Sequence, residues 1–168
     1  MNNSKKIAFL SVLTAISAAL MYISGFLPAG RLGIAAVAGV FTALAVLPYG
    51  IGGGMITYAA VALVSFLIVP DKMSVLLYVA LLGCYPVLKS VFEHFMPVIE
   101  WIAKLVFFNG VLTVFLVLFR EVLLGSAILD RLPVIAVIAA GNIVFVLYDF
   151  GLSRLMEYYF RRFASFFK

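Results

Sequence analysis

Few side chains in this 168-residue chain could do chemistry, so each can be weighed singly. Asn109 and Asn142 each stand within a long apolar run. A carboxamide in such surroundings must find a partner, either the other amide across a helix pair or the polar edge of a ligand. The interhelical bond is the commoner use. Asp149 falls late in an apolar run and has Lys104 and Arg154 as alternative partners. A satisfied ion pair is favoured over a proton relay there. The densest polar stretch is 89–104. Lys89 and Glu93 are four apart, as are Glu100 and Lys104, and the only histidine, His94, lies between the pairs. That spacing suits salt bridges along a helix face. Surface or interfacial placement is expected for all five, and a cytoplasmic contact surface for a partner is the sharper reading. Arg31, Asp71, Lys72, Arg120, Glu121, Asp130 and Arg131 stand at the ends of apolar runs, with Tyr22, Tyr58 and Tyr78 inside the runs. Tyrosine rings can stack on a small polar solute while amides read its edge. The plainer reading is a solvated loop rim with interfacial aromatics.

Other chemistry lacks its residues. The chain has no P-loop, no HExxH, no paired histidines and no GxSxG, the motifs that carry phosphate, zinc or acyl chemistry. One histidine and one cysteine cannot build a typical metal site, and one cysteine excludes an internal disulfide. Cys84, in an apolar run, reads as a small packed side chain. An enzyme is therefore not expected, nor any cofactor or metal. The net charge of +5 comes from positives scattered at segment ends. That pattern fits membrane topology and anionic lipid rather than nucleic acid.

The elements that must position these groups are apolar. Hydrophobic residues make up 66% of the chain and charged residues 11%, against about 45–50% and about 25% in soluble domains. Six apolar runs cover 7–27, 32–48, 51–69, 73–88, 101–119 and 132–153. They are continuously apolar rather than alternating, which indicates helices and not barrel strands. The expectation is an all-α, polytopic membrane protein: one domain over 1–168, a bundle of six transmembrane helices, multi-pass in the plasma membrane. The run 7–27 is too long for a signal-peptide core and reads as the first membrane helix. With the N-terminus inside, eight of the twelve Lys and Arg fall on the cytoplasmic side. The positive-inside rule then places both termini in the cytoplasm. The tail 154–168 mixes Arg154, Arg161, Arg162 and Lys168 with Tyr158, Tyr159, Phe160, Phe163, Phe166 and Phe167. RNA binding is conceivable, but an interfacial anchor on anionic lipid is the plainer reading.

Small residues recur at intervals of four: Ser11, Ala15 and Ala19; Ala35, Gly39 and Ala43; Gly50 and Gly54; Ala136 and Ala140. Each set lies on one helix face and lets backbones approach closely. Packing within the chain is the plainer use, but their concentration in the first three runs keeps a partner surface in view.

The layout resembles the substrate-binding S components of energy-coupling factor (ECF) vitamin transporters, which are bacterial, small, basic, six-helix membrane proteins with both ends in the cytoplasm. The matching motif is the small-residue face of the first helix, Ser11, Ala15 and Ala19 within SVLTAISAAL. In that family an alanine-rich first-helix face docks on a transmembrane coupling subunit. The resemblance implies vitamin uptake: capture of a vitamin-like molecule from outside and its release inside, driven by separate ATPases. Under it, Arg31, Asp71, Lys72, Tyr78, Asn109 and Asn142 are candidate ligand contacts, chosen by depth. Ser11, Ala15, Ala19, Ala35, Gly39 and Ala43 are the docking candidates. The family's longer first outer loop is here only Pro28, Ala29, Gly30 and Arg31, which moves capture to the other outer loops. In size and span count the chain is also similar to the MreD-type scaffold subunits of bacterial cell-shape complexes. Under that alternative the 89–104 stretch is the working surface and the interior is closed.

Overall fold

A computed structural model describes residues 3–27, 30–124 and 133–163, with side chains for all of these except 119–124 and 163. Pro28, Ala29, Asp130, Arg131 and the last part of the basic aromatic tail lie outside the described residues, as do the side chains of Arg120 and Glu121. Every described element is helical. They are α1 (Asn3–Ser24), α2 (Arg31–Ile68), α3 (Lys72–Leu77), a π-helical turn (Tyr78–Leu82), α4 (Tyr85–Phe92), α5 (Pro97–Leu124) and α6 (Val134–Phe163). Among the described residues, five helical stretches are long and apolar enough to cross a membrane, with the α3–α4 stretch counted as one. Their outer faces carry large apolar side chains such as Leu67 and Ile135, 81% and 80% exposed. So extensive an apolar surface is not built to meet water. The chain divides into two compact units, residues 1–91 with 152–168 and residues 92–151.

In the first unit, α2 holds two of the expected runs in one element. A straight helix of its 38 residues would be about 57 Å long. Yet Nη1 of Arg31, its first residue, lies 3.9 Å from Oδ2 of Asp71, just past its end. The helix therefore folds back on itself. The reversal is at Gly50, whose φ of 63° and ψ of −163° are non-helical, in a region essentially reserved for glycine. Pro48 helps to break the helix because it has no N–H to donate. The limbs 31–49 and 51–68 pass so closely that a Cβ on Gly54 would collide with Val46. The break expected between the runs 32–48 and 51–69 is thus where the chain turns.

Helix α1 lies antiparallel to the first limb. Leu10 and Leu13 form a core with Ala45, Phe9 meets Tyr49 edge-on at 5.9 Å, and the Ser17 hydroxyl donates to the Ala38 carbonyl at 2.9 Å. The end of α1 returns beside the end of the second limb, where Gly25 faces Val69 and Pro70.

The fourth run is helical over Lys72–Phe92 but widens at Tyr78–Leu82, where Gly83 N–H bonds Tyr78 O at 2.7 Å. The Tyr58 hydroxyl donates to the carbonyl of Val79 within this π turn at 2.9 Å.

The second unit is built on α5 and the first part of α6, which run antiparallel. Lys104 meets Asp149, the rings of Phe108 and Phe145 stack at 4.4 Å, and Asn109 meets Asn142. Helix α6 continues without a break to Phe163, so the described part of the tail is an extension of that helix.

Gly50→Ala should destabilise the protein by about 1–3 kcal/mol, the cost of forcing a Cβ into this backbone region. Open space surrounds Gly50, so the loss would be strain and not a clash. Gly52→Ala, also in open space but helical, should be neutral or stabilising. Reversible unfolding in detergent micelles measures both.

Candidate functional site

The candidate ligand contacts fall into three local arrangements. The first is the corner between α2 and α3. Asp71 caps α3: its carboxylate accepts the N–H groups of Met73 at 3.1 Å and Ser74 at 3.3 Å. It also accepts the Ser74 hydroxyl at 2.6 Å and faces Arg31. Lys72 turns the other way. Its ammonium donates to the Phe66 and Val69 carbonyls at 2.7 and 2.9 Å, closing the carbonyl end of α2, and lies 5.3 Å from the Phe66 ring centre. The three charged residues thus join helix ends, the groups that a helix leaves unsatisfied. Burial pushes the Asp71 carboxyl up, but the Ser74 hydroxyl, the two N–H groups and the Arg31 guanidinium outweigh it, so the group sits below its ordinary value.

The second arrangement is a hydroxyl-lined interior in the same unit. Tyr78 is fully buried and shares a hydrogen bond with Thr42 at 2.9 Å. Its ring stacks on Tyr58 at 6.3 Å, so two tyrosines expected in the spans do meet. Tyr22, in contrast, is 44% exposed and packs on Phe26. Ser17, Thr42, Thr57 and Ser65 are buried residues that sequence reasoning passed over. The Thr57 and Ser65 hydroxyls have no hydrogen-bond partner among the described residues. Their eight-residue separation, with Val61 between, put them on one helix face, and that was the available signal.

The third lies in the second unit. Asn109 and Asn142 exchange two hydrogen bonds, each Nδ2 donating to the other's Oδ1 at 2.9 Å. Their remaining amide hydrogens go to Leu105 O at 2.9 Å and Ile138 O at 2.8 Å. All four donors are used, so the pair can offer a ligand only acceptor lone pairs. Lys104 is 1% exposed. Its ammonium lies 3.1 Å from Asp149 and 2.6 Å from Glu100, and 5.4 Å from the centre of the Trp101 ring. Of the two partners considered for Asp149, Lys104 is the one found; Arg154 pairs with Glu157 at 3.5 Å. The surface placement expected for the 89–104 stretch fails at both lysines, since Lys89 too is 1% exposed. Glu93 and His94 are exposed as expected. No cluster of His, Cys, Asp and Glu among the described residues could hold a metal ion.

The two small-residue stripes differ. Ser11, Ala15 and Ala19 are exposed, whereas Ala35, Gly39 and Ala43 are buried inside the first unit.

Helices of this length and apolarity, with their polar groups turned to one another, define a helical protein suited to apolar surroundings. No protein-family model matches the chain, and no curated protein and no solved structure matches it.

Asn109→Ala or Asn142→Ala alone should cost about 0.6–2 kcal/mol, the range for hydrogen bonds between membrane helices. The double variant should cost little more than either single one, because the pair acts as a unit. A double-mutant cycle by unfolding in micelles reads this directly.

A carboxyl whose folded pKa is depressed adds stability above its unfolded pKa and loses it as pH falls through the folded one. Asp71→Ala should therefore cost about 0.5–2 kcal/mol at neutral pH, as for a lost helix cap. The gap from the parent protein should close below the usual carboxylate range. Melting curves of both proteins across acidic pH test the sign.

Proposed function

We propose that this chain is a plasma-membrane protein with six membrane passes, both limbs of α2 counting separately, and with both termini in the cytoplasm. We further propose that it is the substrate-binding subunit of an ECF-type importer. It captures a small vitamin-like solute from outside and docks on a coupling subunit served by separate ATPases. One observation carries this reading: the two small-residue stripes have separate fates. Ala35, Gly39 and Ala43 are used up in internal packing, so they serve the fold and not a partner. Ser11, Ala15 and Ala19 stay exposed on α1, leaving a flat face against which another helix can pack closely. The hydroxyls of Thr57 and Ser65, without a hydrogen-bond partner among the described residues, give the first unit spare polar capacity for a ligand.

The scaffold reading makes 89–104 the working surface. Burial of Lys89 and Lys104 removes both cations from that surface and weighs against it.

Native mass spectrometry of the purified protein should find a co-purified small polar molecule. Ala15→Trp with Ala19→Trp should abolish transport of that molecule and leave its binding intact. Unimpaired transport by this variant would refute the docking role, and absence of any bound or transported solute would favour the scaffold.

A further inference from the structure

A groove of about 660 Å³ runs between α1 and the second limb of α2. Its lining is mostly apolar, with Leu10 and Ile56 beside the small Ala15, Ala18 and Ala60, two short hydroxyls (Ser11 and Thr14) along α1, and Val64 at the far end. Its near end carries the only polar groups of any length, Asn3 and Lys6. Lys6 is half-buried, and its ammonium lies 5.5 Å from the centre of the Tyr49 ring, a weak contact that an anion at the groove's near end would strengthen or replace.

The length of the groove distinguishes its occupants. From Asn3 to Ala18 is about 22 Å along a helix at about 1.5 Å per residue. One leaflet has about 15 Å of hydrocarbon and about 5–7 Å of headgroup region. The groove thus matches one leaflet, polar end included, and stops near the bilayer centre. A partner helix crossing the membrane would need a trough about 30 Å long. We infer that the groove is a site for one anionic phospholipid, with an acyl chain along Ala15, Ala18 and Ala60 and its phosphate at Lys6 and Asn3. Under the proposed topology this end faces the cytoplasmic leaflet, which is the anionic one. The site does not require the transport function. The lipid covers Ser11 and Ala15, which line the groove, so a partner docking on that face must displace it.

The test uses the full-length protein in detergent, titrated with dioleoyl phosphatidylglycerol or dioleoyl phosphatidylcholine and read by native mass spectrometry. One phosphatidylglycerol should bind about five-fold more tightly than phosphatidylcholine, the factor expected for one basic residue at the membrane surface. Lys6→Gln should erase this preference, while Lys5→Gln, at an exposed lysine outside the groove, should retain it. Ala60→Phe should fill the floor and remove the bound lipid, with melting temperature checked to confirm folding. Equal binding of the two lipids, a preference that survives Lys6→Gln, a bound lipid that survives Ala60→Phe in a folded protein, or a second copy of the chain bound instead would each overturn the inference.

Discussion

The structure depends on one constraint: in hydrocarbon a polar group has no water to fall back on, so its partner must come from the chain. Helices meet that demand along their length and fail at ends and breaks. The polar residues gather at those failures. Asp71 receives free N–H groups of α3, and Lys72 gathers carbonyls at the end of α2. Tyr58 serves the π turn at Val79. Within helices, Thr113 and Ser90 turn back to the carbonyls of Asn109 and Val87, and Cys84, in the turn after the π-helical segment, does the same to Ala80. Much of the scarce polar complement is therefore spent on backbone before any is left for a solute.

The two units answer the same constraint differently. The first uses close approach. Small residues bring α1 and the limbs of α2 together, because lipid exerts no hydrophobic drive to do so. The second buries few side chains among its described residues and relies on polar pairs. Its amide pair is worth about 0.6–2 kcal/mol, whereas losing one member of a buried ion pair typically costs about 3–5 kcal/mol. Removing one member of the Lys104–Asp149 pair, with Glu100 beside it, is therefore the larger single loss, because it strands a buried charge and not because the intact pair adds more net stability.

What the sequence made legible follows from what its signals measure. Apolar runs and the Pro48 to Gly50 boundary were readable because hydrophobicity and turn chemistry are local. The meeting of Asn109 with Asn142 was readable because isolated amides in apolar runs have few choices. The burial of Lys104 was not, since a Glu–Lys pair four apart looks the same on a wet helix face and a packed one. The π turn has neither Gly nor Pro among its five residues, and it left no mark. The extension of α6 was left open by the sequence: no proline interrupts 154–163, and amphipathic composition is compatible with a separate tail or a continuous helix.

Spacing by four likewise assigns residues to a face without saying what that face meets. Ser11, Ala15 and Ala19 resemble Ala35, Gly39 and Ala43 as a pattern, yet one set is exposed and the other buried. The difference arises from position. The first limb of α2 has α1 on one side and the returning second limb on another, and its small residues are consumed between them. Helix α1 has the limbs of α2 on its buried side, marked by Leu10, Leu13, Ser17 and Met21, and keeps its remaining face open. A small-residue face left open forgoes contacts that larger side chains would make with lipid. Such a loss is recovered only by a close fit, so the same spacing by four yields a spent face on the first limb of α2 and an unspent one on α1.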